Sequence, residues 1–157
     1  MAALTADVDH PHKGPLTKLA VKAIGADTFY KGALVYADEA NGKAQVSVPA
    51  TGDVFIGICA EQVVATAADD LVDIYVDGLW SLNVTTPAVA DVGLAFFMNV
   101  DGTPTDNAND AIQPGDAALA NTDILIGKLL AIDSDDSTRG WFRIDVGWIY
   151  DDAIGWI

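Results

Sequence analysis

The sequence predicts an all-β protein, a small β-barrel or β-tulip with an extended N-terminal arm and an apolar C-terminal tail. The clearest strand pattern is LVDIYVD at 71–77, where apolar residues alternate with Asp or Tyr as in a half-buried strand. The alternation continues past Gly78 in LWSLNV at 79–84. No stretch keeps the apolar spacing of three and four that a helix needs, and the one weak helical candidate is PGDAALA at 114–120.

A second observation is an approximate internal repeat. Each copy consists of an apolar strand that contains a glycine, an Asp-rich turn and an alternating strand that ends in a glycine. These two glycines are 21 residues apart in the first copy and 20 in the second. We interpret the copies as opposed halves of one β core, with chance similarity between hairpins as the alternative. The matched segments are FIG at 55–57 with LIG at 125–127, and VDIYVDG at 72–78 with FRIDVG at 142–147.

Residues 1–16 are predicted to form an extended arm. Pro11 and Pro15 obstruct a helix, and the segment shows no hydrophobic periodicity. An arm of this kind is either disordered or ordered by packing on a neighbouring subunit.

The β domain is predicted over 17–147. Its first strand, Leu19–Ile24, alternates between apolar residues and lysines, so Leu19, Val21 and Ala23 are expected to share one face. The Asn41-Gly42 pair is typical of a hairpin turn between two short strands. The other predicted strands are Ala33–Ala37, Ala44–Val48, the pair within 53–84, Leu94–Val100, Ile124–Ile132 and Trp141–Val146.

Three segments late in the chain bear on assembly. Leu94–Val100 is almost continuously apolar, which predicts burial on both faces or at an interface. The irregular stretch 101–123 has the length of a functional or a disordered loop. The tail 148–157 is rich in large apolar residues, so we expect it to gain backbone hydrogen bonds as a strand of its own sheet or of a neighbour's.

Charge is distributed unevenly along the chain. The net charge is −15, and the stretch from Ala44 to Gly127 holds 12 acids and no Lys or Arg. Such a surface repels nucleic acid, because binding a phosphate backbone requires clustered bases. No apolar run is long enough to span a membrane, and the N-terminus does not resemble a signal peptide. We therefore expect neither nucleic acid nor membrane as a partner.

Two groups of residues are weak candidates for a metal site. His10 and His12 would face the same way on a strand, but no third ligand lies nearby in the sequence. Oxygen ligands of the kind that Ca²⁺ prefers cluster in the long loop, although their spacing does not fit an EF-hand and chance clustering in an acidic chain is the favoured explanation. The loop candidates are Asp101, Asp106, Asn107, Asn109 and Asp110.

The sequence offers little for catalysis. Both histidines lie in the arm, and adjacent carboxylates such as Asp69 and Asp70 are typical of solvated turns. The single cysteine, Cys59, lies in an apolar strand and is expected to be a buried thiol. We predict a protein that is not an enzyme and that needs no cofactor.

A series of strand segments then resembles a known group of proteins. The series is KGALVYAD, VFIGICAEQV, VDIYVDGLWSL, LAFFMN, ILIGKLLAID and WFRIDVG, preceded by the arm and a lysine-bearing strand. It resembles the capsid decoration, or cement, proteins of tailed bacteriophages, over about residues 18–147. The long loop and the apolar tail are departures from that pattern.

The resemblance implies a structural virion protein that binds the outside of the capsid as a homotrimer, with the major capsid protein as its partner. Contact with the capsid or a neighbour would then involve the arm and the start of the domain, at His10, Pro11, His12, Lys13, Pro15 and Lys18. Self-association would involve apolar residues, namely Phe96, Phe97, Trp148, Ile149, Tyr150, Trp156 and Ile157.

Two other functions remain open at this point. One is a carbohydrate-binding β-sandwich module that uses exposed tryptophans, with or without calcium. The other is a different virion component, such as a head fibre or a tail-tube protein.

Overall fold

The all-β class is confirmed. A computed structural model describes residue 4 and residues 6–46, 52–84, 87–98, 111–112, 124–144, 150–151 and 155–156. These residues form strands and one short 3-10 helix, Val89–Asp91. The strands are β1 (His12–Lys13), β2 (Lys18–Lys22), β3 (Asp27–Phe29), β4 (Leu34–Ala37), β5 (Ala44–Gln45), β6 (Val54–Cys59), β7 (Val63–Ala65), β8 (Leu71–Tyr75), β9 (Leu79–Asn83), β10 (Ala95–Met98), β11 (Ala111–Ile112), β12 (Ile124–Ile132), β13 (Arg139–Ile144), β14 (Tyr150–Asp151) and β15 (Gly155–Trp156).

Two antiparallel sheets make up most of the fold. Sheet I has the order β2-β8-β6-β4-β5, and sheet II has the order β1-β9-β13-β12-β10-β11. The strands β3 and β7 form a separate two-stranded ribbon, as do β14 and β15. Among the described residues one parallel bridge, Ala23 to Ala44, joins the edges of sheet I. One bridge is not a ladder, so the predicted closure into a barrel is corrected to two open sheets.

The two sheets repeat the same strand order and register. In sheet I, Val35 pairs with Gly57, and a bulge precedes the next pair, Tyr36 with Phe55. In sheet II the corresponding pairs are Phe96 with Gly127 and Phe97 with Leu125, again with the bulge between them. The backbone φ is 151° at both Gly57 and Gly127. The predicted match of FIG at 55–57 with LIG at 125–127 is therefore confirmed in pairing and in backbone conformation.

The turns that lead into β4 and β10 repeat as well. The amide of Gly32 donates to the carbonyl of Cys59, and the amide of Cys59 donates to the carbonyl of Ala33. Gly93, Leu129 and Leu94 make the same pair of bonds in sheet II. The first unit of the repeat is thus β2 to β8, and the second is β9 to β13.

Sheet I packs one of its faces on sheet II. The core between the sheets includes Leu34, Tyr36 and Ile58 from sheet I and is completed from sheet II by Phe96 and Phe142 among others. The rings of Phe96 and Phe142 meet edge to face, with centroids 5.4 Å apart. The opposite face of sheet I forms a second core, which the β3–β7 ribbon helps to cover. Burial of these apolar faces is the main favourable term that holds the sheets together.

Several strand predictions are confirmed. Phe96 lies in the core between the sheets and Phe97 in a separate buried cluster, so β10 is buried on both faces as predicted. The predicted alternation of the first strand is confirmed, since Leu19 and Val21 pair with Ile74 and Val72, although Leu19 lies on an edge strand and is 52% exposed. In the tail, β14 and β15 pair with each other, so the tail gains backbone bonds from its own ribbon.

Candidate interaction surface

The arm lies on its own chain. The amide of Val8 donates to the carbonyl of Lys31 at 2.9 Å, and the amide of Ser81 donates to the carbonyl of Pro11 at 2.8 Å. Its strand β1 pairs with β9, with His12 opposite Trp80. We predicted an arm that is disordered or ordered by a neighbouring subunit. The structure corrects this for residues 6–16, because the free edge of β9 supplies the backbone partners that the arm needs.

His10 fixes the arm to both units of the repeat. Its Nε2 donates to the carbonyl of Gly32 at 2.9 Å, and its Nδ1 accepts from Nη2 of Arg139 at 2.9 Å. The imidazole is therefore neutral, and both ring nitrogens are used. Burial, followed by the nearby guanidinium, lowers the pKa of His10 to about 4, while its bond to Gly32 opposes this shift. His12 instead has its ring against Trp80, 5.0 Å between centroids, so the two histidines do not share a site.

Arg139 links the arm to a buried hydroxyl. Its Nη2 donates to the carbonyl of Ser81, its Nε to Oγ of the same residue at 3.2 Å, and its Nη1 to Oδ1 of Asn83 at 2.8 Å. The Ser81 hydroxyl is buried and donates to Asp133 at 2.5 Å. This hydrogen bond is the main reason that the pKa of Asp133 is lowered.

The hydrogen bonds among His10, Arg139 and Ser81 do not have the arrangement of a catalytic nucleophile and its base. The Ser81 hydroxyl gives its proton to a carboxylate, and the guanidinium of Arg139 separates it from the imidazole of His10. A hydroxyl nucleophile needs a base that accepts its proton and is held by a third group. The geometry instead joins an arm, two strands and a turn through saturated hydrogen bonds, which is a structural role.

Bases line up across the outer face of sheet II, the face directed away from sheet I. Lys13 is paired with Leu79, Leu79 with Arg143, and Arg143 with Lys128. Residues directly opposite each other in antiparallel strands lie on the same face. We call this cross-strand set, Lys13, Leu79, Arg143 and Lys128, the basic row.

The basic row borders a cleft of about 410 Å³. Lys13 and Arg143 line it together with Leu79 and the turn at Asp77-Gly78. Lys13 also lies over the ring of Trp141, with Nζ 4.6 Å from the ring centroid. Trp80 is buried, and the ring of Trp141 is partly covered by a lysine, so the arrangement does not favour a sugar-stacking platform.

The bases of the basic row differ from the other lysines in their surroundings. No carboxylate among the described residues lies within ion-pair distance of Lys13, Lys128 or Arg143. The remaining lysines all have acidic partners. These pairs are Lys18 with Glu61 and Asp73, Lys22 and Lys43 with Asp69, and Lys31 with Asp9.

The predicted capsid contacts are only partly accessible. Pro11, His12, Lys13, Pro15 and Lys18 are exposed, whereas His10 is buried, with an exposed fraction of 9%. His10 therefore holds the arm and is not available to a partner.

The residues predicted to take part in self-association are partly buried and partly outside the described residues. Phe96 and Phe97 are buried within their own chain, so the prediction that they lie on an exposed interface is corrected. The backbones of Tyr150 and Trp156 are paired in the β14–β15 ladder. Trp148, Ile149 and Ile157 lie outside the described residues.

The remaining candidates for a reactive or metal-binding site are Cys59 and the acidic loop. Cys59 is buried, as predicted, and burial raises the pKa of its thiol to about 11. The loop candidates for calcium, from Asp101 to Asp110, lie outside the described residues, as does the weak helical candidate at 114–120. Within the part of the chain that is described, no three His, Cys, Asp or Glu side chains come together as metal ligands would. In the same part, no helix has the length and apolar character needed to cross a membrane.

Sequence reasoning missed the His10–Arg139–Ser81 network and the basic row. The first joins residues up to 129 positions apart, which no local pattern reveals. The second has a signal in retrospect, because Lys128 and Arg143 are among the few bases that follow the base-free stretch 44–127. Comparisons with protein-family models, curated proteins and solved structures give no match for the chain.

Proposed function

We propose that this protein is a structural virion protein that binds the outside of an icosahedral phage capsid and stabilises it as a homotrimer. The observation that carries the proposal is the series of strand segments that resembles decoration proteins. Each member of that series contains a strand, and the strands follow one another in the order of the series, from β4 in KGALVYAD to β13 in WFRIDVG.

Charge and surface properties support the same role. A net charge of −15 suits a protein that lies outside the shell and does not contact packaged DNA. In the arm and at the start of β2, His12, Pro15 and Lys18 are exposed, which leaves them available for contact with a partner. Many weak contacts of this kind gain strength when a trimer presents three copies at once.

Binding to capsids tests this function. Purified protein is mixed with shells assembled from the major capsid protein of the same virus, and co-sedimentation is measured against protein concentration. Lys18→Glu is expected to weaken binding at least tenfold. Lys43→Glu changes the charge equally and also removes an ion pair, but Lys43 lies outside the proposed contact, so it serves as the matched control.

Two results would contradict the proposal. One is that the protein does not co-sediment with the shells, even at concentrations well above those at which decoration proteins saturate a capsid. The other is binding that the two variants weaken equally, because that would reflect bulk charge instead of a defined contact.

A further inference from the structure

The two main sheets differ at one edge. Strands β2, β8, β6, β4 and β5 of sheet I correspond in order to β9, β13, β12, β10 and β11 of sheet II. Sheet II has one strand more, because β1 of the arm pairs with the edge of β9, and in the described part of the chain β2 has no such neighbour. We propose that this free edge of β2 binds an extended segment of the major capsid protein as an added strand. The inference deepens the proposed function and rests on it.

The hydrogen bonds at the two ends of β2 show which backbone groups point outward. The amide of Val76 donates to the carbonyl of Thr17, and the amide of Ala23 donates to the carbonyl of Asp70. Hydrogen-bonded and non-hydrogen-bonded pairs alternate along antiparallel strands. The odd-numbered residues of β2 therefore bond to β8, and the even-numbered residues direct their amides and carbonyls away from the sheet.

The outward groups belong to Lys18, Ala20 and Lys22. All three residues are exposed, and no described residue bonds to their backbone groups. At the next even position the edge is already used, because the amide of Ile24 donates to the carbonyl of Ala44 at 2.9 Å. The open edge is thus five residues long, which is the length of a typical strand.

The side chains of β2 select the chemistry of the added strand. Leu19 and Val21 lie on the face of the second core, and Leu19 is 52% exposed at its margin, so an apolar side chain beside it would extend that core. On the other face, Lys18 and Lys22 have carboxylate partners only at 3.8–4.0 Å, between exposed side chains. Carboxylates of an added strand can pair with these lysines. The segment that fits alternates apolar and acidic residues.

The same lysines exclude a second copy of β2 as the occupant. Two β2 strands paired antiparallel about Ala20 would place Lys18 opposite Lys22, and like charges directly opposite each other are destabilising. The arm of a second copy is held by its own β9. The edge also follows directly on the exposed residues His12 and Pro15, so it is continuous with the surface that we propose for capsid contact.

Hydrogen exchange of free and shell-bound protein, resolved at single amides by mass spectrometry, tests the edge. In the free protein we expect the amides of Lys18, Ala20 and Lys22 to exchange rapidly and those of Leu19 and Val21 to exchange slowly. In protein that co-sediments with shells of the major capsid protein, exchange at the first three amides should slow at least tenfold.

A proline at the centre of the edge gives a second test. Ala20→Pro removes one outward amide and no bond to β8, and proline is tolerated in edge strands where the amide faces solvent. Ala20→Ser keeps the amide and is the matched control. We expect Ala20→Pro to weaken co-sedimentation at least tenfold and Ala20→Ser to leave it unchanged, with urea unfolding as the check that both variants fold.

The outcomes separate this inference from the proposed function. Co-sedimentation without slower exchange at the three outward amides, or equal binding by the proline and serine variants, would overturn the added strand and leave capsid binding intact. Slow exchange of these amides in the free protein would mean that the edge is already occupied, which would also overturn the inference. A wild type that does not co-sediment would overturn both.

Discussion

Gly57 and Gly127 occupy the same position in the two sheets, each opposite a bulged strand and each with a backbone φ of 151°. Side chains other than glycine rarely adopt this conformation. The two glycines therefore fix the register of the strand pairs that carry Tyr36 in one sheet and Phe97 in the other. This shared geometry is the strongest structural sign of the repeat.

Substitution of Gly57 by alanine should destabilise the fold. An added Cβ would lie 2.3 Å from the carbonyl oxygen of Tyr75, so the β6–β8 pair would have to shift. We expect a loss of about 1–3 kcal/mol in the free energy of unfolding, measured by urea denaturation. Gly25→Ala is the control, because its Cβ would meet nothing within 4 Å. Equal stability of the two variants would contradict the role of Gly57.

Acidification should loosen the arm through His10. The pKa of His10 is about 4 in the folded protein, below its ordinary value of 6.5. Between these values the unfolded chain binds the proton and the folded chain does not, so stability falls as pH falls from 6.5 to 4. The slope is up to about 1.4 kcal/mol per pH unit, and the contribution is complete above pH 6.5.

The His10 contribution can be isolated by difference. Urea unfolding is measured at several pH values for the wild type and for His10→Gln. We expect the difference in unfolding free energy between the two proteins to shrink as pH falls through that window. A difference that stays constant would mean that the imidazole is not held neutral by Arg139 and Gly32.

Removal of the Ser81 hydroxyl should lower the free energy of unfolding more than the small size of the group suggests. Ser81→Ala leaves Oδ2 of Asp133 without its hydroxyl donor and Nε of Arg139 without its hydroxyl acceptor, while Oδ1 of Asp133 still accepts from the amide of Asp135. We expect a loss of about 1–3 kcal/mol in unfolding free energy, because buried polar groups are left without partners. Ser134→Ala, at an exposed position in the adjacent turn, is expected to change stability little. If both variants unfold at the same urea concentration, the network does not stabilise the fold.

Neutralising one base of the basic row should stabilise an isolated chain. Lys128→Gln removes a like charge directly opposite Arg143, which predicts a gain of a few tenths of a kcal/mol, up to about 1. The measurement is thermal unfolding of dilute protein at low ionic strength. The gain should vanish in high salt, where charges are screened. Destabilisation by Lys128→Gln in dilute protein would contradict the proposed repulsion.

Most strands could be predicted from the sequence, whereas the contacts of the arm and the surface network could not. Alternation located β8 and β9, and the apolar segment around Phe96 and Phe97 was correctly predicted to be buried on both faces. The ribbon strands β3 and β7 have three residues each, too few to show a period. The place of the arm depended on the free edge of β9, and an edge is a property of the assembled sheet that no stretch of sequence displays.

Electron cryomicroscopy of shells saturated with this protein tests the central claim most directly. The account predicts added density outside the shell at three-fold positions, with three copies at each and with the arm and β2 toward the capsid subunits. Shells that carry no added density at saturating protein, or density of single separated chains, would contradict it.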